Sequence, residues 1–119
     1  MARIERYEDL ESWQEARYLV SAVYKISKEH LKGDPSLRDQ LQRASVSIMA
    51  NIAEGFEGRS DAEKVRFLII ARGSAAEVRS LLYVVKDVGL AKREEIEHLQ
   101  ESCRKIGRLI SGLINHLRK

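Results

Sequence analysis

The chain contains few of the residues that staple secreted proteins or anchor membrane proteins. Its 119 residues include one cysteine, one proline and 6% aromatic residues. Because Cys103 has no partner in the chain, an intrachain disulfide is excluded and a reducing compartment is favoured. The longest uncharged stretch, residues 44–53, is far shorter than the ~20 residues that span a bilayer. Charges between residues 3 and 9 leave no apolar leader, so we expect a cytoplasmic protein without membrane contact.

Length and charge are compatible with one globular domain. A chain of 119 residues suits a single core, and we predict one domain over residues 1–119. Hydrophobic residues make up 44% of the chain, which excludes a disordered protein. The formal net charge of +3 permits a nucleic-acid partner without requiring one.

Apolar residues recur three or four positions apart over four long segments. We predict helices over four ranges: residues 9–31, 35–56, 61–88 and 92–117. In the second helix the pattern predicts a seam of five residues: Leu37, Leu41, Ala44, Ile48 and Ile52. In the third helix it predicts a buried seam of seven residues: Phe67, Ala71, Ser74, Val78, Leu81, Val85 and Val88. No segment alternates with the two-residue period of a strand. Four such helices with short loops predict an all-α, antiparallel up-down-up-down four-helix bundle.

Turn and cap residues mark the predicted helix ends. Gly33 suits a left-handed cap after the first helix, and Asp34 followed by Pro35 suits the start of the second. Ser60 and Glu63 have the spacing of a capping box, which predicts the start of the third helix.

The second helix carries no charge over nearly three turns. A bundle helix normally keeps a charged face in water, and a helix without one is buried on all sides. Its face opposite the core seam contains four residues: Val46, Met49, Ala50 and Ala53. A second subunit would cover this face, which predicts a homo-oligomer. A central position of this helix within the bundle explains the same pattern, and that alternative stays open.

Polar residues form a stripe beside the apolar seam of the second helix. At about 100° per residue, the stripe contains Gln40, Arg43, Ser47, Asn51 and Glu54. We expect a structural network of four residues on the second and third helices: Asn51, Glu54, Arg72 and Glu77. Within it, Glu54 and Arg72 are the predicted ion pair, and Glu54→Ala is expected to cost about 3–5 kcal/mol if the pair is buried. A catalytic carboxylate is the alternative, although no nucleophile and base accompany it.

Basic residues are concentrated in the fourth helix. Arg104, Lys105 and Arg108 lie opposite its apolar seam, where we expect them to point outward. Repeated in identical subunits, such a patch can contact phosphate backbones. Glu101 shares this face and is expected to pair with Lys105 four residues later, which neutralises part of the charge. A solvated helix face is therefore the alternative interpretation.

The sequence contains no complete set of residues for catalysis or metal binding. One Glu-x-x-His sequence, Glu95–His98, lies in the fourth helix, whereas a di-iron bundle needs two. Cys103 lies on the core seam, where a small packed side chain is expected. No glycine loop follows a strand, as a nucleotide site requires. We predict a protein that is not an enzyme and holds no metal or cofactor.

A motif in the second helix and segments of the other helices share one family pattern. The motif is Asn51–Gly55, preceded by Gln40, Arg43, Ser47 and Ile48, and the other segments are Asp9–Leu10 with Trp13, Phe67–Leu68, Ala71–Ser74 with Glu77, and Ile106–Leu109 with Gly112–Ile114 and Leu117. They resemble the bacterial four-helix-bundle proteins named after intervening sequences in large-subunit ribosomal RNA genes. The resemblance implies a ring-shaped homopentamer with a non-enzymatic role connected to ribosomal RNA. A related branch, the accessory proteins of diversity-generating retroelements, implies binding of nucleic acid and of a reverse transcriptase.

Two functions remain open at this point. The first is an oligomer that associates with ribosomal or other structured RNA through its phosphates. The alternative is a protein-interaction scaffold, or an accessory subunit of a nucleic-acid enzyme such as a reverse transcriptase. The first requires RNA binding that weakens with salt, and the second requires a specific protein partner.

Overall fold

A computed structural model describes residues 3–119, so residues 1 and 2 of the predicted domain lie outside the described range. A 3₁₀ turn at Tyr7–Asp9 leads into four helices. They are α1 (Glu11–His30), α2 (Pro35–Phe56), α3 (Asp61–Val88) and α4 (Arg93–Leu117). Each helix packs against the two that are next to it in the cyclic order α1, α2, α3, α4, and within residues 3–119 the backbones of diagonally opposite helices do not approach closely. The predicted all-α, up-down-up-down four-helix bundle is confirmed.

Local capping explains where α2 starts and where α3 starts and stops. The Asp34 carboxylate accepts a hydrogen bond from the Leu37 N–H at 3.1 Å, with Pro35 in the first helical position. Ser60 Oγ accepts from the Glu63 N–H at 3.1 Å. The left-handed cap lies at Gly89, where φ is 77°. The left-handed conformation expected at Gly33 is wrong, because Gly89 is the one positive-φ residue of the described chain.

The core runs the length of the bundle. In α2 the seam predicted from the sequence is buried: Leu37, Leu41, Ala44, Ile48 and Ile52. The short contact between α2 and α3 near their shared turn depends on Gly55, since a Cβ there would lie 3.1 Å from Leu68 Cγ. Residues 3–119 contain no helix long and apolar enough to cross a membrane.

The third helix is rotated relative to its predicted seam. Three predicted positions are buried: Ala71, Val78 and Val85. Four others are half-buried or exposed: Phe67, Ser74, Leu81 and Val88. The core uses Val65, Leu68, Ala75 and Leu82 instead. This helix has two adjacent apolar stripes, and the one containing Ser74 lies along the edge that contacts α2, where Ser74 Oγ is 2.9 Å from Ser47 Oγ.

Candidate nucleic-acid interface

A groove of about 680 Å³ runs along the surface between α3 and α4. Four arginines line it, two from each helix: Arg72, Arg79, Arg104 and Arg108. The other lining residues are small or neutral: Ala75, Ala76, Cys103, Gly107, Ser111, Gly112 and Asn115. The groove contains no acidic side chain in its lining. We call it the α3/α4 groove.

Helical geometry explains why the arginines converge. Arg72 and Arg79 are seven residues apart, and Arg104 and Arg108 are four apart, so each pair lies on one stripe of its helix. In α3 the stripe flanks the buried residues Ala75 and Val78 on the side of α4. The Arg72 guanidinium confirms this direction, because its Nη1 donates to Ser111 Oγ of α4 at 3.2 Å.

The two arginines of α3 have no acidic partner. Among residues 3–119, no carboxylate forms an ion pair with Arg72 or Arg79. Both side chains are half-buried between the helices. A guanidinium in partly desolvated surroundings gains more from an anion than one in open water, because its attraction is screened less. The groove therefore offers two unneutralised cations to an anionic ligand.

The two arginines of α4 share one carboxylate. Glu101 accepts from Arg104 Nη1 at 3.2 Å and from Arg108 Nη2 at 3.3 Å. These hydrogen bonds, that from Arg104 first, hold the pKa of the Glu101 carboxyl below its ordinary value. All three side chains are exposed, so a ligand anion can reach the arginines and compete with Glu101.

The α4 residues at the base of the groove include two glycines, Gly107 and Gly112. A Cβ added at Gly107 or Gly112 would meet no atom within 4 Å. Neither glycine is needed for packing inside the chain, and both leave space in which a ligand can approach the α4 backbone. Cys103 also lies at the base of the groove, and burial raises the pKa of its thiol to about 12. The thiol stays protonated at neutral pH and is not an activated nucleophile.

Lys105 does not belong with Arg104 and Arg108, although the sequence grouped the three. Its Nζ lies 3.2 Å from Glu15 Oε1 and 3.4 Å from Glu11 Oε2 of α1. The hydrogen bond to Glu15 raises the pKa of Lys105 most. The expected pairing of Lys105 with Glu101 is therefore wrong, because α1 places two carboxylates on the other flank of α4.

The expected ion pair between Glu54 and Arg72 is also absent from the described residues. Glu54 is exposed on α2, whereas Arg72 points away from α2 toward Ser111. The reason is the orientation of α3, which turns Arg72 to the α4 side and Glu77 to the α2 side. Because the pair is absent, Glu54→Ala is no longer expected to cause a large loss of stability.

The other two members of the predicted network do lie at the contact between α2 and α3. Glu77 accepts from Arg43 Nη2 at 2.7 Å. Asn51 Nδ2 donates to the Ser47 carbonyl at 2.8 Å and to Ser47 Oγ at 3.1 Å, and Ser47 in turn contacts Ser74. These contacts form a polar ladder beside the core.

The predicted subunit-interface residues divide into two pairs. Val46 and Ala50 are exposed, with Val46 retaining 42% of its accessible surface. Met49 and Ala53 are half-buried and pack against the core of their own chain. α2 is therefore not enclosed by the other helices, and a central position does not explain its uncharged outer face.

The histidine of the Glu-x-x-His sequence contacts α1. His98 Nε2 lies 3.1 Å from the Tyr18 hydroxyl of α1. In the described part of the chain, no cluster of three or more histidine, cysteine or carboxylate side chains is arranged to hold a metal ion.

Sequence reasoning missed Arg72 and Arg79 as members of the candidate site. The seven-residue spacing of these residues showed that they share one stripe of α3. The direction of that stripe depends on which neighbouring helix lies on its side, and a single sequence contains no such information. Arg104 and Arg108 were found because their position opposite the apolar seam is a local property of α4.

Comparison with known proteins gives a fold and a family. The chain is similar in structure to a crystallised protein of unknown function from Bacteroides thetaiotaomicron that is assigned to the S23 ribosomal protein family. The two share 22% sequence identity and a TM-score of 0.82, over 87% of this chain and 95% of the other. No curated protein matches the chain. The model of one family, described as 23S rRNA-intervening sequence protein, matches residues 8–112. The chain therefore belongs to the 23S rRNA-intervening sequence protein family.

Proposed function

We propose that this protein is a non-enzymatic RNA-binding protein that holds the phosphate backbone in its α3/α4 groove. The observation that carries the proposal is the convergence of four arginines on one groove whose lining contains no carboxylate. Guanidinium groups bind phosphate oxygens through paired hydrogen bonds, and phosphate contacts supply most of the sequence-independent affinity for nucleic acids.

The composition of the groove favours backbone contact over base recognition. Its lining has no aromatic side chain on which a base could stack. The small residues Ala76, Gly107 and Gly112 provide room for a strand, and Ser111 and Asn115 add neutral polar groups. RNA is the nucleic acid of choice because the family model is described by its connection to 23S rRNA.

The test is a salt titration of RNA binding, measured by the fluorescence anisotropy of a labelled hairpin RNA. The variant R72Q/R79Q removes two cations from the groove without reversing charge. Each lost phosphate contact makes the negative slope of log K against log salt shallower by about 0.7–0.9, so the slope of this variant should be shallower by roughly 1.5. The control R66Q/R93Q removes one exposed cation from each of the same helices, outside the groove. Equal slopes in the two variants would show that the groove arginines do not contact the RNA phosphates.

We also propose that the protein self-associates through the outer side of α2 and the adjoining flank of α3. Apolar side chains on this surface are exposed, namely Val46 at 42%, Ile70 at 46% and Val84 at 44%. Ile70 and Val84 lie on the same stripe of α3 as Ser74 and Glu77, which contact α2. Exposed apolar side chains gathered on one surface favour coverage by another protein surface.

Size-exclusion chromatography with light scattering measures the mass of the protein in solution and so distinguishes a monomer from an assembly. The family resemblance leads us to expect five times the chain mass of 13.6 kDa. The variant V46E/V84E places charges on exposed positions, so the monomer should stay folded while the assembly dissociates. A wild-type monomer at micromolar concentration would contradict self-association. A partner protein that copurifies and occupies the same surface would favour the scaffold function instead.

A further inference from the structure

A second basic groove lies on the opposite side of the bundle, between the end of α1 and the start of α2. It has a volume of about 580 Å³. Four cationic side chains line it: Lys25, Lys28, Lys32 and Arg38. The remaining lining residues are Tyr24, Ser27, Glu29 and Gln42. We call it the α1/α2 groove.

Most of the positive charge in this groove is not neutralised. In residues 3–119, no carboxylate forms an ion pair with Lys25, Lys28 or Lys32. The one acidic lining residue, Glu29, offsets one of the four positive charges without forming an ion pair with a lysine in the described residues. Arg38 contacts Asp39 at 3.1 Å, so its charge is locally compensated. Three exposed ammonium groups on neighbouring positions remain for an anion.

The surface between α1 and α4 shows that this charge distribution is not a general property of the bundle. There, Lys105 contacts both Glu11 and Glu15. Lys25, Lys28 and Lys32 have no such partners, and like charges this close repel one another unless a counter-charge is present. A polyanion that contacts all three releases its condensed counterions and gains affinity.

An aromatic ring accompanies the lysines of the α1/α2 groove. Tyr24 retains 46% of its accessible surface and lines the groove. The α3/α4 groove has no such ring. An exposed tyrosine beside lysines can stack on an unpaired base or a ribose while the lysines contact the phosphates. This combination identifies RNA as the polyanion that suits the groove, and an RNA loop suits it better than a continuous duplex.

The cyclic order of the helices places the two basic grooves on opposite faces. α1 and α2 form one side of the bundle, and α3 and α4 form the other. The bundle is 44 Å long and has transverse extents of 25 Å and 20 Å. Because the grooves face in opposite directions across this width, one contact segment cannot occupy both.

We propose that the α1/α2 groove is a second RNA-phosphate site and that one copy of the protein bridges two RNA segments. This proposal rests on the RNA-binding function of the α3/α4 groove, which holds the first segment. Lys25, Lys28 and Lys32 hold the phosphates of the second segment, and Tyr24 stacks on one of its unpaired bases. The protein brings together two RNA segments that do not pair with each other.

The test is a two-RNA capture assay with two hairpin RNAs of unrelated sequence. One hairpin is fixed to beads and saturated with protein, the beads are washed, and capture of the second, fluorescent hairpin is measured. The substitutions and their control are made in the V46E/V84E background, so that each particle carries one α3/α4 groove and no second subunit can bridge. There, K25Q/K28Q/K32Q should still bind the bead RNA but capture about tenfold less of the second hairpin, because three phosphate contacts are lost. Tyr24→Leu should lower capture of a hairpin with an unpaired loop and leave capture of a blunt duplex unchanged.

The matched control is K92Q/R93Q/R118Q, which also removes three exposed cations, none of which lines either groove. This control should capture the second hairpin as its V46E/V84E parent does. Circular dichroism confirms that each variant is folded. Equal capture by K25Q/K28Q/K32Q and its V46E/V84E parent would overturn the proposal, as would equal loss in the control. In that case, capture of the second hairpin would arise from nonspecific charge.

The assay separates this proposal from the proposed function. A wild-type protein that does not bind the bead RNA contradicts both. A variant R72Q/R79Q that binds and bridges normally contradicts the α3/α4 groove as the site of the first segment, and the lysine variant then tests the α1/α2 groove independently. A variant K25Q/K28Q/K32Q that binds with its parent's affinity and does not bridge supports both assignments.

Discussion

The α3/α4 groove and the face between α1 and α4 lie on two flanks of the same helix, but their cations have opposite surroundings. On one flank, Arg79 and Arg72 of α3 have no acidic partner, and Arg104 and Arg108 share only Glu101. On the other, Lys105 alone contacts two carboxylates. The neighbouring helix therefore decides whether a cation of α4 is available to a ligand. Counting charges along one helix does not reveal this.

Charge reversal on each flank should show the largest difference between them. Arg79→Glu places a carboxylate in the groove, where repulsion from phosphates costs several kcal/mol, so we expect RNA affinity to fall by about a hundredfold or more. Lys105→Glu should leave RNA affinity within about twofold, while it lowers stability because it faces Glu11 and Glu15. Anisotropy titrations and thermal melts of both variants measure these effects. Similar losses of affinity in the two would contradict the distinction between the flanks.

A methyl group added at the base of the α3/α4 groove should raise stability and lower RNA affinity. Gly107→Ala meets no atom of the chain, so it should stabilise α4 by roughly 1 kcal/mol in urea unfolding. The same methyl group occupies space over which the RNA strand passes, so RNA affinity should decrease. Gly73→Ala is the matched control, because Gly73 also has open space but does not line the groove. It should be similarly stabilising with unchanged affinity, and a Gly107 variant that also keeps its affinity would show that RNA does not approach the base of the groove.

Removal of the carboxylate that competes with phosphate should strengthen binding. Glu101→Gln releases Arg104 and Arg108, and the loss of an exposed ion pair of this type predicts RNA affinity roughly twofold to fivefold higher. Glu97→Gln removes the same charge from α4 but frees Lys86, which lies outside the groove. We expect a smaller change for that variant. Equal gains in the two would indicate a general effect of net charge.

The smallest effect should come from Glu54→Ala. Since Glu54 is exposed and has no ion-pair partner in the described chain, its replacement should change the free energy of unfolding by less than about 0.5 kcal/mol. Asn51→Ala should cost more, because Asn51 donates two hydrogen bonds to Ser47 beside the core. Urea unfolding of both variants provides the comparison. A loss of several kcal/mol for Glu54→Ala in the monomer would show that Glu54 does form a buried ion pair.

The helices could be predicted from sequence because their signals are local. Asp34 with Pro35 and Ser60 with Glu63 mark helix starts through contacts within one turn, and α2 and α3 have the predicted bounds. The core seam of α2 was also predictable, since one apolar stripe faces one core. The seam of α3 was not, because Leu68 and Leu82 compete with Phe67 and Leu81 for the same role. Packing against two neighbours selected the first pair.

The candidate site divides in the same way. Arg104 and Arg108 could be assigned to the surface from α4 alone, because their position follows from helical periodicity. The assignment of Arg72 and Arg79 to the same groove required the arrangement of α3 beside α4. The exclusion of Lys105 from the groove also required the tertiary structure, because its partners Glu11 and Glu15 are about ninety residues away in the chain.

Periodicity and caps were sufficient to specify four helices and their antiparallel order, whereas the exposure of Val46 and Ala50 on the uncharged stretch of α2 was decided only by the packing of the helices. The pairing of side chains between helices was not specified, because an up-down bundle can place either neighbour on a given flank of a helix. The rotation of α3 about its own axis resolves that choice. It turns Glu77 toward Arg43 and Arg72 toward Ser111, and so converts the arginines of α3 into one wall of a basic groove.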